Sequence, residues 1–227
     1  NSVVGMNIIP LMVQSGDYFS IDSDSFQDEI ITHISEPKIK HYLNYDVSSL
    51  NTKLSEGGID SFSITLESED DYVVLVEETS NFKNYFLLEP SKLIEIENLL
   101  MSDMGILKIN LLNVQSNSQY SEETILPIFI EVFRFGVDTS NQNQLVFDSS
   151  FRLELQETGN DTGIFVGSVS WVEITKLNIE TFDFASLQTV GTDIIFPSTN
   201  NQDGEQGIRL QYYDFGMDGV WASIGDQ

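Results

Sequence analysis

Thirty-six carboxylates stand against ten basic side chains in this chain of 227 residues, so oxygen-ligand chemistry is the first to consider. Calcium takes about six to eight oxygens, drawn from carboxylates, amides and main-chain carbonyls. Three stretches bring such oxygens close together in sequence. The first is Asp22-Ser23-Asp24 with Asp28 and Glu29, and the second is Glu67 with Glu69, Asp70 and Asp71. The third is Asn201, Asp203 and Glu205 in a glycine-containing loop, followed by Asp214 and Asp218. None has the EF-hand spacing. The candidate ligands for calcium or another divalent cation are therefore Asp22, Asp24, Glu69, Asp70, Asp71, Asp203, Glu205, Asp214 and Asp218. A solvated acidic loop accounts for each cluster as well.

Asn160-Asp161-Thr162 is the only Asn-X-Ser/Thr sequon and makes Asn160 a candidate for N-glycosylation. A turn asparagine would explain the same residue. Catalytic constellations find little support. The two histidines, His33 and His41, have no local serine–acid partner, and there is no G-x-S-x-G elbow. Neither G-x-G-x-x-G nor a P-loop is present. Carboxylate pairs are so dense that pairing alone does not point to a glycosidase. With no cysteine, thiol nucleophiles, zinc–thiolate sites and disulfides are excluded. The chain reads as a non-enzyme, with no cofactor beyond a divalent cation.

The elements that would position these residues are mainly strands. Ile64 and Leu66, then Val73 and Leu75, recur at period two, as do the apolar residues of Ile106–Val114. Ile125–Phe135 is a long β-rich run, and 193–196 and 208–213 are shorter ones. The exception is Pro90–Met101, where Leu93, Ile96, Leu99 and Leu100 fall on one helical face behind a first-turn proline. Asp70-Asp71 and Glu77-Glu78 bracket the apolar run Tyr72–Val76 with charge, which guards against aggregation. The polar stretch 115–123 lacks periodicity and reads as the linker or the turn joining two domains. The expected architecture is all-β, with two tandem immunoglobulin-like β-sandwich domains over residues 1–118 and 119–227.

Glu157-Thr-Gly-Asn-Asp-Thr-Gly-Ile-Phe165 separates two alternating segments, Phe151–Gln156 and Val166–Trp171, and reads as a β-hairpin. Gly159 and Gly163 can take positive φ, Asn160 and Asp161 tolerate it, and Thr158 and Thr162 offer hydroxyls to free turn amides. Leu153 and Leu155 are expected to face a core, with Phe165, Val169 and Trp171 sharing one face. The full segment Arg152–Val169, with the later Leu177–Leu187, resembles the repeated immunoglobulin-like domains of archaeal surface-layer proteins, those of ammonia-oxidising Thaumarchaeota most of all. Asn160-Asp161 departs from the commoner Pro-Asn. The resemblance implies a secreted protein that assembles with copies of itself and with neighbouring domains into a two-dimensional lattice at the cell surface.

Net charge is −26, and it is spread evenly. Residues 1–118 carry 19 acids and 6 bases, and residues 119–227 carry 17 and 4, so each half has −13. Such a surface repels nucleic acid and anionic lipid and attracts cations. No apolar run approaches the roughly 20 residues that span a bilayer. Asn1 is not a start methionine, and the chain reads as an internal piece or a processed product. The leading expectation is a structural segment of an extracellular surface layer. The alternatives are an adhesin or carbohydrate-binding stalk module, with Tyr212, Tyr213, Phe215 and Trp221 as exposed aromatics, and an accessory domain of a secreted hydrolase.

Overall fold

The computed structural model describes residues 7–10, 18–22, 39–48, 50, 60–102, 105–112, 125–138, 144–148, 155–168, 170–175 and 195–200. Among these, strands predominate and most lie in antiparallel sheets, with a helix at Pro90–Ser102. The fold is all-β in character, as the period-two patterning predicts.

One sheet contains β1 (Asn7–Pro10), β3 (Ile39–Asp46), β6 (Lys83–Leu88), β8 (Ile125–Asp138) and β9 (Gln144–Asp148). The fourteen-residue β8 organises it, pairing β1 through residues 125–128, β3 through 129–136 and β9 through 134–138. The second sheet runs β2 (Tyr18–Asp22), β7 (Ile106–Leu112), β4 (Ser61–Glu67), β5 (Tyr72–Thr79). The expected division at 118/119 falls between β7 and β8. β8 nevertheless pairs with β3 from Ile39↔Gly136 to Asp46↔Phe129, so the first sheet crosses that division. The linker proposed at 115–123 lies outside the described residues.

The two sheets share one apolar cluster, which gives the fold its sandwich-like character. Leu43 and Tyr45 of β3 and Ile128, Ile130 and Val132 of β8 enter it from one sheet. Phe62, Ile64 and Leu66 of β4 and Leu107, Ile109 and Leu111 of β7 enter it from the other. The period of two is visible in β7, whose alternate residues are buried. Burial of each such side chain stabilises the fold by about 1.5–3 kcal/mol. Rings link the layers: Tyr45 meets Phe62 edge-on at 5.8 Å and Phe86 at 6.5 Å, and Phe62 lies 5.2 Å from Phe82.

The helix α1 (Pro90–Ser102) connects β6 of one sheet to β7 of the other. Pro90 starts it, where a missing N–H costs nothing, and the Glu89 carbonyl accepts from Lys92 and Leu93 at 2.9 and 3.1 Å. Leu93, Ile96, Leu99 and Leu100 are buried in the shared cluster, as their spacing predicts, while Ile94 and Met101 face outward.

β5 is an edge strand, and its register against β4 shifts twice. Ile64 pairs Val76 but Thr65 pairs Val74, so Leu75 is an extra residue, and a second one falls between Val76 and Thr79. Such a bulge switches the side of the sheet that a side chain faces. It explains how the adjacent Leu75 and Val76 are both buried while Glu77 and Glu78 are both exposed. With Asp70 and Asp71 exposed at its start, this edge carries both bulges and charge, two devices that discourage pairing with another chain.

Two further strand pairs are described. β10 (Gln156–Glu157) and β11 (Phe165–Val166) form the antiparallel hairpin, and β12 (Ser170–Thr175) pairs β13 (Ile195–Asn200) in parallel. The strand expected at 208–213 lies outside the described residues.

Candidate functional site

The acidic turn between β4 and β5 is built by its own side chains. Ser68 N–H donates to the Asp71 carbonyl at 2.8 Å, and Asp71 N–H donates to Ser68 Oγ at 3.2 Å. The Asp71 carboxylate caps the start of β5 by accepting from Tyr72 N–H at 2.8 Å. One carboxylate oxygen of the proposed ligand set is thus already used in the turn. Glu69, Asp70 and Asp71 are all exposed. Glu67, which leads into the turn, is paired with Lys108 across the sheet at 2.9 Å. Thr65 Oγ1 donates to the same carboxylate at 3.0 Å, and Asn110 Nδ2 donates to Thr65 Oγ1 and Ser63 Oγ at 3.2 and 3.3 Å. The polar face of β4 and β7 is therefore satisfied by its own ladder.

Of the other proposed ligands, Asp22 is placed by its backbone at the end of β2, opposite Ile106. Asp24, Asp203, Glu205, Asp214 and Asp218 lie outside the described residues. Among the described residues, no group of three or more His, Cys, Asp and Glu side chains comes together to hold a metal ion.

The hairpin tip is closed by side chains and main chain together. Thr158 N–H donates to the Ile164 carbonyl at 2.9 Å. Glu157 Oε1 accepts from Gly163 N–H at 2.9 Å and from Thr162 Oγ1 at 3.4 Å. Thr162 Oγ1 accepts from Ile164 N–H at 3.3 Å and lies 3.1 Å from Thr158 Oγ1. The left-handed positions are Asp161 (φ 54) and Gly163 (φ 65), not Asn160 or Gly159. Asn160 is exposed at the tip. The role of Glu157 was not apparent from the sequence, although an acid just before a Gly-rich tip is the signal that could have found it.

The apolar residues of the hairpin do not behave as expected. Leu155, predicted to face a core, is 44% exposed, and Phe165 is 46% exposed. Ile164 and Val166 are exposed too. β10 and β11 have only two residues each, so the ribbon is too short to lay one face on a core. Leu153 and the side chains of Val169 and Trp171 lie outside the described residues.

Sequence reading also missed a buried polar row. Tyr85, Asn44 and Glu131 lie side by side across β6, β3 and β8, on the face opposite the shared core. All three are buried, and each is engaged within the fold. An unengaged carboxylate there would cost several kcal/mol. In the next row of that face Tyr42 stacks on Phe133 at 5.2 Å. Burial pushes the Tyr85 phenol up to about 12. On the core side, burial also holds the Tyr45 phenol up at about 12, against a lowering hydrogen bond with the Asn84 side chain, and its O–H donates to the Asn81 carbonyl at 2.9 Å. His41 is buried in β3, opposite Arg134 and Leu88. His33 lies outside the described residues.

No protein-family model matches this chain. No curated protein matches it either.

Proposed function

We infer that this chain is a structural segment of a lattice-forming protein of the cell surface, built from β-sandwich domains of immunoglobulin-like type. The observation that carries the reading is how the two sheets divide their side chains. Apolar residues of both sheets fill one cluster, while the acids of the β4–β5 turn and the edge strand β5 point outward. A module of this kind holds its shape through its own core and presents a negative surface to its surroundings. The hairpin Glu157–Phe165, through which the sequence resembles surface-layer domains, closes on its own hydrogen bonds and exposes its tip. In this reading the first unit extends through β9, because β8 and β9 pair within its sheet, and the second unit follows.

The partners are further copies of the parent protein and neighbouring domains of the same chain. Calcium or another divalent cation bridges acidic surfaces that otherwise repel each other at a net charge of −26. Pores lined by such surfaces admit cations such as ammonium and repel anions. The screening length is roughly 3–10 Å from 1 M to 0.1 M salt, so only narrow pores discriminate.

Electron microscopy of source cells labelled with an antibody to this chain tests the reading. Label on a periodic array outside the membrane is expected. Label confined to the cell interior, or a labelled surface without any repeat, would sink it.

A further inference from the structure

We propose that the outer edge of β6 is a contact between copies of this chain, made by antiparallel pairing of β6 with β6 of a second copy. The choice of partner rests on the lattice reading above, and the choice of surface rests on the strand's own geometry. Among the described residues β3 alone pairs with β6. The ladder shows which groups face away from β3. Val47 N–H donates to the Phe82 carbonyl at 2.8 Å, one step beyond the Asp46↔Lys83 pair. Antiparallel bonding alternates along a strand. Asn84, Phe86 and Leu88 therefore turn their main chain to β3, and Lys83, Tyr85 and Leu87 turn theirs outward. The Tyr85 amide agrees with this alternation: it donates to the side chain of the preceding Asn84 at 2.8 Å. An outward amide capped by its neighbour's side chain, rather than by a strand carbonyl, marks an edge to which a strand can be added.

The contrast with β5 singles this edge out. β5 carries bulges and flanking acids, whereas β6 keeps one register against β3 throughout and has no acid between Lys83 and Leu88. A regular, acid-free edge is what sheets otherwise protect against pairing, and here it lies in a chain of net charge −26. The strand is also complementary to itself. When two copies pair about a two-fold axis centred on Phe86, Lys83 stands opposite the partner's Glu89 and Tyr85 opposite the partner's Leu87, and symmetry makes each pairing twice. Lys83 and Glu89 are both exposed. This register keeps the alternation, because the residues with outward main chain oppose one another. The two Phe86 residues then meet at a site without ladder bonds, with Cα atoms about 4.5 Å apart. Phe86 is half-buried, packed on the shared cluster and edge-on to Tyr45 at 6.5 Å. Pairing covers its remaining side and runs one sheet through both copies. Pro90, with no N–H, stops the ladder after Glu89, and α1 leaves to pack against β5.

Sedimentation equilibrium of the whole chain in chelator, at physiological ionic strength and from micromolar to millimolar protein, provides the test. A reversible monomer–dimer equilibrium is expected. Lys83→Glu and Glu89→Lys, taken singly, each set like charges opposite one another at both ends of the contact and raise the dissociation constant roughly tenfold or more. An equimolar mixture of the two variants restores association, because each supplies the charge that the other lacks. Both substitutions in one chain restore it as well, which separates a lost contact from a lost fold. A wild-type chain that stays monomeric at millimolar concentration overturns the contact. So does an association that the single substitutions leave unchanged, or one that mixing fails to recover. The lattice reading is judged separately by the labelled cells: a periodic array beside a failed β6 contact leaves that reading standing with its contacts elsewhere, and a β6 dimer from cells without an array leaves the contact standing and overturns the lattice.

Discussion

Replacing Phe62 by alanine tests the claim that β3, β6 and β8 share one core with β4, β5 and β7. Phe62 is fully buried on β4, edge-on to Tyr45 of β3 at 5.8 Å and 5.2 Å from Phe82. Removing a buried phenylalanine ring costs about 3–5 kcal/mol, from lost transfer energy and the cavity left behind. The coupling of the Phe62 and Tyr45 rings accounts for about 0.5–1.5 kcal/mol of that. A domain has only about 5–15 kcal/mol in total, so Phe62→Ala consumes a large share. Its melting temperature falls by roughly 6–20 °C at this chain length. Urea titrations followed by circular dichroism give the loss directly. A double-mutant cycle with Tyr45→Leu isolates the contact between sheets, while Tyr72→Ala, 63% exposed, serves as the silent control. A loss under about 1 kcal/mol, or strict additivity of the two substitutions, would refute the shared core.

Three further outcomes follow from particular residues. Burial holds the Tyr45 and Tyr85 phenols at about 12, above their ordinary 10.0. The stability this confers is complete below pH 10 and is lost as pH climbs through about 12, because the unfolded chain ionises first; late ionisation of these two phenols at 295 nm, with melting temperature falling over that window, is expected, and their titration near 10.0 would contradict it. Gly163→Ala forces a side chain into a left-handed conformation (φ 65), although its Cβ would meet nothing within 4 Å. The strain of about 1–2 kcal/mol speeds hydrogen exchange of the Thr158 and Gly163 amides by roughly 5–30-fold, and an unchanged rate would refute this account of the turn. Neutralising Asp70, Asp71, Glu77 and Glu78 together, as Asn and Gln, shortens the lag of aggregation on heating by uncovering the Tyr72–Val76 run. An unchanged lag would mean that the bulges of β5 protect the edge without the charges.

How much was legible depends on how many faces each element buries. The helix α1 was readable because one stripe is apolar and the other is not, and Leu93, Ile96, Leu99 and Leu100 are buried together. β7 was readable for the same reason at period two. β3 was not, because both of its faces are buried. Leu43 and Tyr45 enter the shared core, while Tyr42, Asn44 and Asp46 are withdrawn on the other side, so no alternation survives in Ile-Lys-His-Tyr-Leu-Asn-Tyr-Asp. Its partnership with β8 joins residues about ninety positions apart in sequence, a long-range pairing that local patterns do not encode. The hairpin was legible as a turn through its glycines and threonines, yet the exposure of Leu155 and Phe165 was not, since alternation describes two faces without saying whether anything covers them. For the proposed ligands, nearness in sequence did not translate into convergence at the β4–β5 turn. There Asp71 caps a strand instead, and Glu67 is paired with Lys108.

The claim that this acidic chain is a structural module assembling through cations is tested most directly by thermal melting and light scattering. The chain is first stripped with a chelator and then given millimolar calcium, with an equal ionic strength of sodium chloride as control. Calcium at about a hundred times its dissociation constant stabilises the folded state by about 2.7 kcal/mol, which corresponds to roughly 5–11 °C at this chain length. The account predicts a rise of that size together with larger particles, both reversed by chelator and absent in sodium chloride. Identical melting and a constant particle size in all three conditions would contradict it, leaving the carboxylates as a solubilising surface.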